Sequence, residues 1–522
     1  MKRPDPKNLS IQQRLKLIHL TKTELARNPK NLTALVNYGL LLRASDRTKE
    51  ASTYLARAHK IDRRDLEVLS LLAETYMESH AYPLARKYIR KLCEIAPKNV
   101  NYLQFYGEVL IEMGKPNLAD EKFEAILKID PKNSAALKFL GESKNMQGRH
   151  DQTGKVHEQI RKINELNANS LYQEAHTKKN SLDDAIRIDA LVKKAIKNDP
   201  ENSVLYYTRG KIWSDVKEYD KAFEAYKLGN KYSIKSPENP FFFETNNAMD
   251  NLTKEFIRQR MPFAVQSNAP IFIFGMPRSG TTLTESICGT HSKINAGGEL
   301  TFASDMSNAI GLSSPTKEAF RQILSEIPMK QIQHFGQRYL DKTANLRKHT
   351  HHFTDKMPHN FVKLGLLKMN LPNAKFIHCR RHPIDTCISI FFNSMNEFHN
   401  IYKSDLIELG LYYRRYLRLM QHWREHIPDG FHEVFYEDIV ANTELNARRM
   451  IGYIGLEWED SMANRQKAQK SVRTLSSWQV RQPVYTSSAG RWKNYEKHLG
   501  PLIDTLGPVV EEYENELKAL NS

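Results

Sequence analysis

Cysteine is scarce in this 522-residue chain, with four in all: Cys93, Cys288, Cys379 and Cys387. Scattered so widely, they support neither a disulfide framework nor a cysteine-based zinc site, and a reducing compartment, the cytoplasm, is expected. Long hydrophobic runs are also missing. The opening Met-Lys-Arg-Pro-Asp-Pro-Lys-Asn leads into a charged, helix-patterned segment, so neither a signal peptide nor a membrane span is expected. Acidic residues are in the minority, 60 against 77 Lys and Arg, which leaves a formal net charge of +17. That surplus attracts polyanions, acidic protein segments or a highly charged nucleotide, and does not choose among them. No recognised nucleic-acid-binding motif accompanies it, so nucleic acid is not expected as a partner.

One further absence concerns a single position. The stretch from Ile271 to Leu283 reads as an apolar strand, a Gly-Met-Pro-Arg-Ser-Gly turn and the first turn of a helix, an arrangement that cradles phosphate. Gly275 and Gly280 keep the spacing of the nucleoside-triphosphate loop G-x-x-x-x-G-K-[ST], but Thr281 stands where the lysine belongs. With no lysine to reach a γ-phosphate, hydrolysis of ATP or GTP is poorly supported. The cation sits inside the loop as Arg278, and backbone N–H groups with the Thr281 and Thr282 hydroxyls remain to hold an anion delivered without a metal.

The first half of the chain is present as a repeat. Gly39, Ala73, Gly107 and Gly141 are 34 residues apart, as are Ala51, Ala85, Ala119 and Thr153, and as are Pro29, Arg63, Pro97 and Pro131. Small residues are required where paired helices approach closely, and a boundary proline ends one pair before the next begins. The pattern blurs after Thr153 and returns at Pro200, Gly210 and Ala222, which predicts a degenerate repeat with a one-residue insertion between about 165 and 199. The period, with Ala-Pro-Lys-Asn at 96–99 and Asp-Pro-Lys-Asn at 130–133, resembles the tetratricopeptide (TPR) repeat. Such a solenoid either binds a peptide or protein partner on its curved surface or buttresses the second domain or a homodimer. The expected layout is a TPR α-solenoid over 1–231, a linker over 232–265 and an α/β domain with a parallel central sheet over 266–522.

In that second domain, Phe376-Ile377 reads as a buried strand and Pro383 as the first turn of a helix. Arg381 then lies at the strand's carboxyl end and Ser389 eight residues on, so a guanidinium and a hydroxyl converge as a second phosphate site. It is next to the first if the two strands are parallel neighbours. Two phosphate sites without the triphosphate lysine imply a nucleotide with phosphates at both ends of its ribose.

These motifs, over roughly 268–500, resemble sulfotransferases that use 3′-phosphoadenosine 5′-phosphosulfate (PAPS), and among them the tyrosylprotein type. The residues concerned are Pro277-Arg-Ser-Gly-Thr-Thr282, Arg381 with Ser389, Tyr436-Glu-Asp-Ile-Val440 and Ser476-Ser-Trp-Gln-Val-Arg-Gln-Pro-Val484 followed by Arg491-Trp492. With the repeats in front, the whole resembles bacterial proteins that fuse TPRs to a sulfotransferase domain. The resemblance implies that Arg278, Ser279, Gly280, Thr281 and Thr282 hold the 5′-phosphosulfate and that Arg381 and Ser389 hold the 3′-phosphate. It implies that Tyr436, Ser476, Ser477 and Arg491 complete the cofactor site, that Glu299 matches the catalytic glutamate and that Lys356 matches the catalytic lysine. Asn393 departs from the tyrosylprotein type, which has an arginine there, and the membrane anchor of that type is not expected.

Sulfuryl transfer to a hydroxyl needs a base and positive groups around the transferring oxygens. Glu299 is the expected base with His359 in reserve, while Arg278 and Lys356 supply charge and Ser476 a further donor. The acceptor is a peptide tyrosine or the hydroxyl of a small molecule, lipid or saccharide. The rival is a TPR scaffold whose nucleotide fold is catalytically idle. His349, His351 and His352 do not have a zinc spacing, and no metal is expected.

Overall fold

The computed structural model describes residues 10–45, 47–79, 81–233, 240–312, 314, 316–347, 350–395, 402–403, 405–462 and 489–521. The chain divides into two compact units, Met1–Ile163 and Asn164–Ser522.

In the first unit a leading helix, Ile11–Arg27, precedes four helix pairs: Leu32–Arg43 with Thr48–Ile61, Leu66–Glu78 with Tyr82–Ile95, Val100–Glu112 with Pro116–Ile129, and Ser134–Met146 with His150–Ile163. The period resides in the caps as well as in the small residues. Asn31, Asp65, Asn99 and Asn133 each accept a backbone N–H of the helix that follows, satisfying a donor the helix itself leaves unpaired. A Cβ on Gly39 would stand 2.7 Å from Leu55, and one on Gly107 2.4 Å from Phe123. In these two pairs the first helix therefore lies against its partner at a distance only glycine permits.

The second unit opens with four more helices of the same kind, Ala168–Thr177, Leu182–Asn198, Ser203–Asp215 and Tyr219–Lys231, and at Gly210 a Cβ would meet the Tyr226 ring at 2.3 Å. The repeat pattern thus continues past the division between the units. The stretch expected as a linker contains the helices Pro240–Asn251 and Lys254–Arg260, whose Phe241, Ala248 and Ile257 are fully buried, as is Leu252 between them.

Five strands follow: β1 (Pro270–Gly275), β2 (Ile294–Ala296), β3 (His352–Lys356), β4 (Lys375–Arg380) and β5 (His432–Phe435). They form one sheet in the order β2-β3-β1-β4-β5, and each neighbouring pair is parallel. Every residue of β1 is buried, as a strand covered on both faces must be. Ile271 and Ile273 pack with Ile377, Cys379 and Val434 on one face, while Phe272 and Phe274 join the larger aromatic cluster on the other, following the strand's two-residue alternation. From central β1 the chain winds first to β2 at one edge and back to β3 beside β1, and then to β4 and β5 on the other side. The order reverses at β1, and parallel sheets bind ligands at the carboxyl ends of the strands that flank such a reversal, here β1, β3 and β4. Among the described residues no helix is long and apolar enough to cross a membrane.

Candidate active site

The loop leaving β1 is shaped by backbone conformations that few side chains adopt. Gly275 has φ +149°, Gly280 has φ +98°, and between them Arg278 is held at φ +68°. A non-glycine residue in the left-handed region costs of order 1–3 kcal/mol and persists where its surroundings dictate it. Those surroundings are tight: a Cβ on Gly275 would sit 2.2 Å from the Cys379 carbonyl of β4, and one on Gly280 would sit 2.7 Å from the Tyr436 ring. Gly280 caps the helix Thr281–Cys288, and Ser279, Thr281 and Thr282 are buried around its start. Ser279 Oγ is buried with no hydrogen-bond partner. A buried hydroxyl beside the N–H groups of a helix start is the complement of a bound oxyanion.

At the end of β4, Arg381 Nη1 donates to the Arg278 carbonyl at 3.1 Å, with its guanidinium 4.8 Å over the Tyr436 ring. Pro383 begins the helix Pro383–Phe391, which carries Ser389 to the loop, and there Arg278 Nε donates to Ser389 Oγ at 3.0 Å. The two groups expected as separate phosphate sites are therefore contiguous, because β1 and β4 are parallel neighbours.

At the end of β3, Lys356 is fully buried and its Nζ donates to Glu299 Oε1 at 2.6 Å, while the Glu299 side chain is 44% exposed. Glu299 is held by the Gly297-Gly298 turn after β2, and that turn is bonded to Glu285 and Thr354. Burial raises the Glu285 carboxyl, an effect opposed by the Lys356 ammonium. Next to Lys356 but facing the opposite side of the sheet, Asp355 accepts from Tyr339 Oη at 2.7 Å, and burial pushes its carboxyl up to about 7.

Arg491 is placed differently from the loop residues. Its segment docks on the Ser389 helix through Asp385, which accepts from Gly490 N at 2.6 Å and Trp492 N at 3.0 Å. The Arg491 guanidinium donates to Ser214 Oγ at 2.9 Å, on the helix Ser203–Asp215. Trp492 stacks on His382, and His359 Nε2 lies 3.1 Å from Tyr412 Oη. His352 Nδ1 donates to the Asn268 carbonyl, and among the described residues no group of three His, Cys, Asp or Glu side chains is poised around a metal. Ser476, Ser477 and His349 lie outside the described residues. Glu285, Thr354 and Ser214 were not singled out from the sequence. Tyr172, a fourth, is pushed up to about 12 by burial, an effect opposed by the charge of Arg278. Nothing in their sequence positions marks these four; only the sheet order and the helix packing do.

The sulfotransferase family model matches residues 270–460, which include all five strands and every described candidate except Arg491. The segment is a sulfotransferase-family domain. A protein of Aquifex aeolicus (strain VF5) described as uncharacterized is 32% identical over 324 residues, 59% of this chain and 43% of its own. The chain thus spans less than half the length of that relative. Among solved structures, the sulfotransferase domain of the Synechococcus PCC 7002 olefin synthase aligns with 20% identity over 44% of this chain and 89% of its own, at a TM-score of 0.33. YrrB, a TPR protein with an unusual peptide-binding site, aligns with 16% identity over 37% of this chain and 98% of its own, at a TM-score of 0.29. Neither score reaches 0.5. In the sulfotransferase domain itself, the carboxyl ends of β1, β4 and β3 carry the Gly275–Gly280 loop, the Arg278–Ser389 pair beside it and the Lys356–Glu299 pair.

Proposed function

We propose that the domain moves a sulfuryl group from PAPS to an acceptor hydroxyl. The observation that carries this reading is the Arg278–Ser389 hydrogen bond, which joins the β1 loop to the β4 helix and makes two anion pockets one continuous site. The unpartnered Ser279 hydroxyl in the loop favours an oxyanion there. When bound, PAPS supplies an activated sulfuryl group on a phosphate leaving group.

In this reading Arg278, Ser279, Gly280, Thr281 and Thr282 hold the 5′-phosphosulfate, and Arg381 and Ser389 hold the 3′-phosphate. Tyr436 backs both pockets, touching Gly280 on one side and stacking under Arg381 on the other. Ser476, Ser477 and Arg491 complete the site. Glu299 is exposed enough for an acceptor to reach and takes its hydroxyl proton, and Lys356 holds the carboxylate in place while adding positive charge beside the developing negative charge. The acceptor is a peptide tyrosine or a smaller hydroxyl compound, and the TPR array recruits it or a partner protein.

Full-length protein incubated with sulfur-labelled PAPS and a cell lysate tests the reading. Label entering protein, lipid or glycan supports it and names the acceptor class. Hydrolysis to free sulfate with no labelled acceptor contradicts it.

A further inference from the structure

Glu285 lies one turn into the helix Thr281–Cys288 and is 6% exposed. One of its oxygens, Oε1, accepts two hydrogen bonds, from Gly298 N at 2.9 Å and from Thr354 Oγ at 2.6 Å. Thr354 Oγ in turn accepts from Gly297 N at 3.1 Å, and the Lys356 N–H, two residues along β3, closes on the Gly298 carbonyl at 2.9 Å. The turn so bound has little freedom. A Cβ on Gly297 would stand 2.2 Å from the Thr354 carbonyl, and Gly298 has φ +73°. The next residue is Glu299, whose carboxylate meets Lys356.

We infer that Glu285 is a positioning residue for sulfuryl transfer: its buried carboxylate fixes the Gly297-Gly298 turn and so sets Glu299 against Lys356. It does this from the helix whose first turn carries Thr281 and Thr282, so the anion-binding helix and the base share one rigid connection. The inference rests on the proposed function. A carboxylate is costly to bury for packing alone, whereas one that accepts two N–H or O–H donors and faces a buried ammonium is compensated. A small displacement of a catalytic group is also costly, since misplacement by about 1 Å can lower a rate about 10²-fold.

The test uses full-length wild type, Glu285→Ala, Glu285→Gln and Thr354→Val, with kcat, the Kd for adenosine 3′,5′-bisphosphate and the thermal midpoint measured for each. In Glu285→Ala, kcat is expected to fall about 10²-fold with nucleotide affinity retained. Glu285→Gln keeps an Oε1 acceptor for both donors and recovers most of that loss. Thr354→Val lowers kcat in the same manner, and the Glu285→Ala/Thr354→Val double variant loses far less than the product of the two, because both act through one turn. Unchanged kcat in Glu285→Ala, no recovery in Glu285→Gln, or a matching loss of nucleotide affinity overturns the inference. Should Glu285→Ala not fold, Thr354→Val decides, and wild-type kcat there overturns it. A wild-type protein that transfers no sulfuryl group sinks the proposed function and this inference together; an active wild type with indifferent variants sinks the inference alone.

Discussion

Glu299 and Lys356 form one ion pair, yet removing either side should have unequal effects on stability. Lys356 is fully buried and the Glu299 side chain is 44% exposed. Glu299→Ala strands an ammonium in the core, with the Glu285 carboxyl still facing it. Breaking a wholly buried pair costs roughly 3–5 kcal/mol, and because water reaches Glu299 the expected loss is smaller, about 1–3 kcal/mol. Lys356→Met removes the buried charge and keeps most of the volume; it leaves Glu299 to water and the Glu285 carboxyl, which burial already pushes toward its protonated form, to take up a proton, so the expected loss is smaller than in Glu299→Ala. Catalysis distinguishes them less: each loses a group that acts on developing charge, for an expected fall in kcat of about 10²–10³, or about 2.7–4 kcal/mol. Urea denaturation followed by fluorescence gives the stabilities, single-turnover transfer the rates, and calorimetry with adenosine 3′,5′-bisphosphate the affinities, which should be close to wild type. Equal destabilisation by both substitutions, or a collapse of nucleotide binding in Glu299→Ala, refutes the reasoning.

Gly275→Ala places a methyl group 2.2 Å from the Cys379 carbonyl, at a φ of +149° that alanine rarely adopts. The carboxyl ends of β1 and β4 must part, so nucleotide affinity should fall at least as much as in Ser389→Ala; calorimetry showing normal affinity would contradict the close approach. Lys403 is fully buried, its Nζ donating to Tyr207 Oη and the Asn393 carbonyl at 2.6 Å each, and burial draws it down to about 7. Between pH 7 and the ordinary lysine value the unfolded chain holds a proton that the folded chain does not. Stability from this group therefore rises with pH across that window, by at most about 1.4 kcal/mol per pH unit, and is flat on either side. Chemical denaturation at several pH values should show that slope reduced in Lys403→Met; parallel curves would contradict it.

What could be read from the sequence was local or periodic. The helix pairs announce themselves because Gly39, Gly107 and Gly210 must be small wherever a partner side chain crosses, and that need recurs with the repeat. The β1 loop announces itself through Gly275 and Gly280, whose positive φ values few other residues tolerate. Arg381 and Ser389 could be placed because Pro383 fixes where the helix between them starts. What could not be read depends on contacts between distant segments. Glu285 looks like any helix glutamate until β3 brings Thr354 to it, 69 residues on. Ser214 and Arg491 meet across 277 residues, so the family resemblance, which implies a place for Arg491 at the nucleotide, carries no sign of its tie to a repeat-type helix. The linker expected over 232–265 rests on Ser236-Pro-Glu-Asn-Pro240 and a polar run, while two of its segments, Pro240–Asn251 and Lys254–Arg260, are helices that bury Phe241 and Ile257 in the core.

The central claim is that pockets at the ends of β1 and β4 hold one nucleotide by phosphates at both ends of its ribose. Isothermal titration of the full-length protein without magnesium tests it most directly. Saturable binding of adenosine 3′,5′-bisphosphate, much weaker for adenosine 5′-monophosphate and weaker again for MgATP, is the predicted result. Tight uptake of MgATP with indifference to the bisphosphate would contradict it.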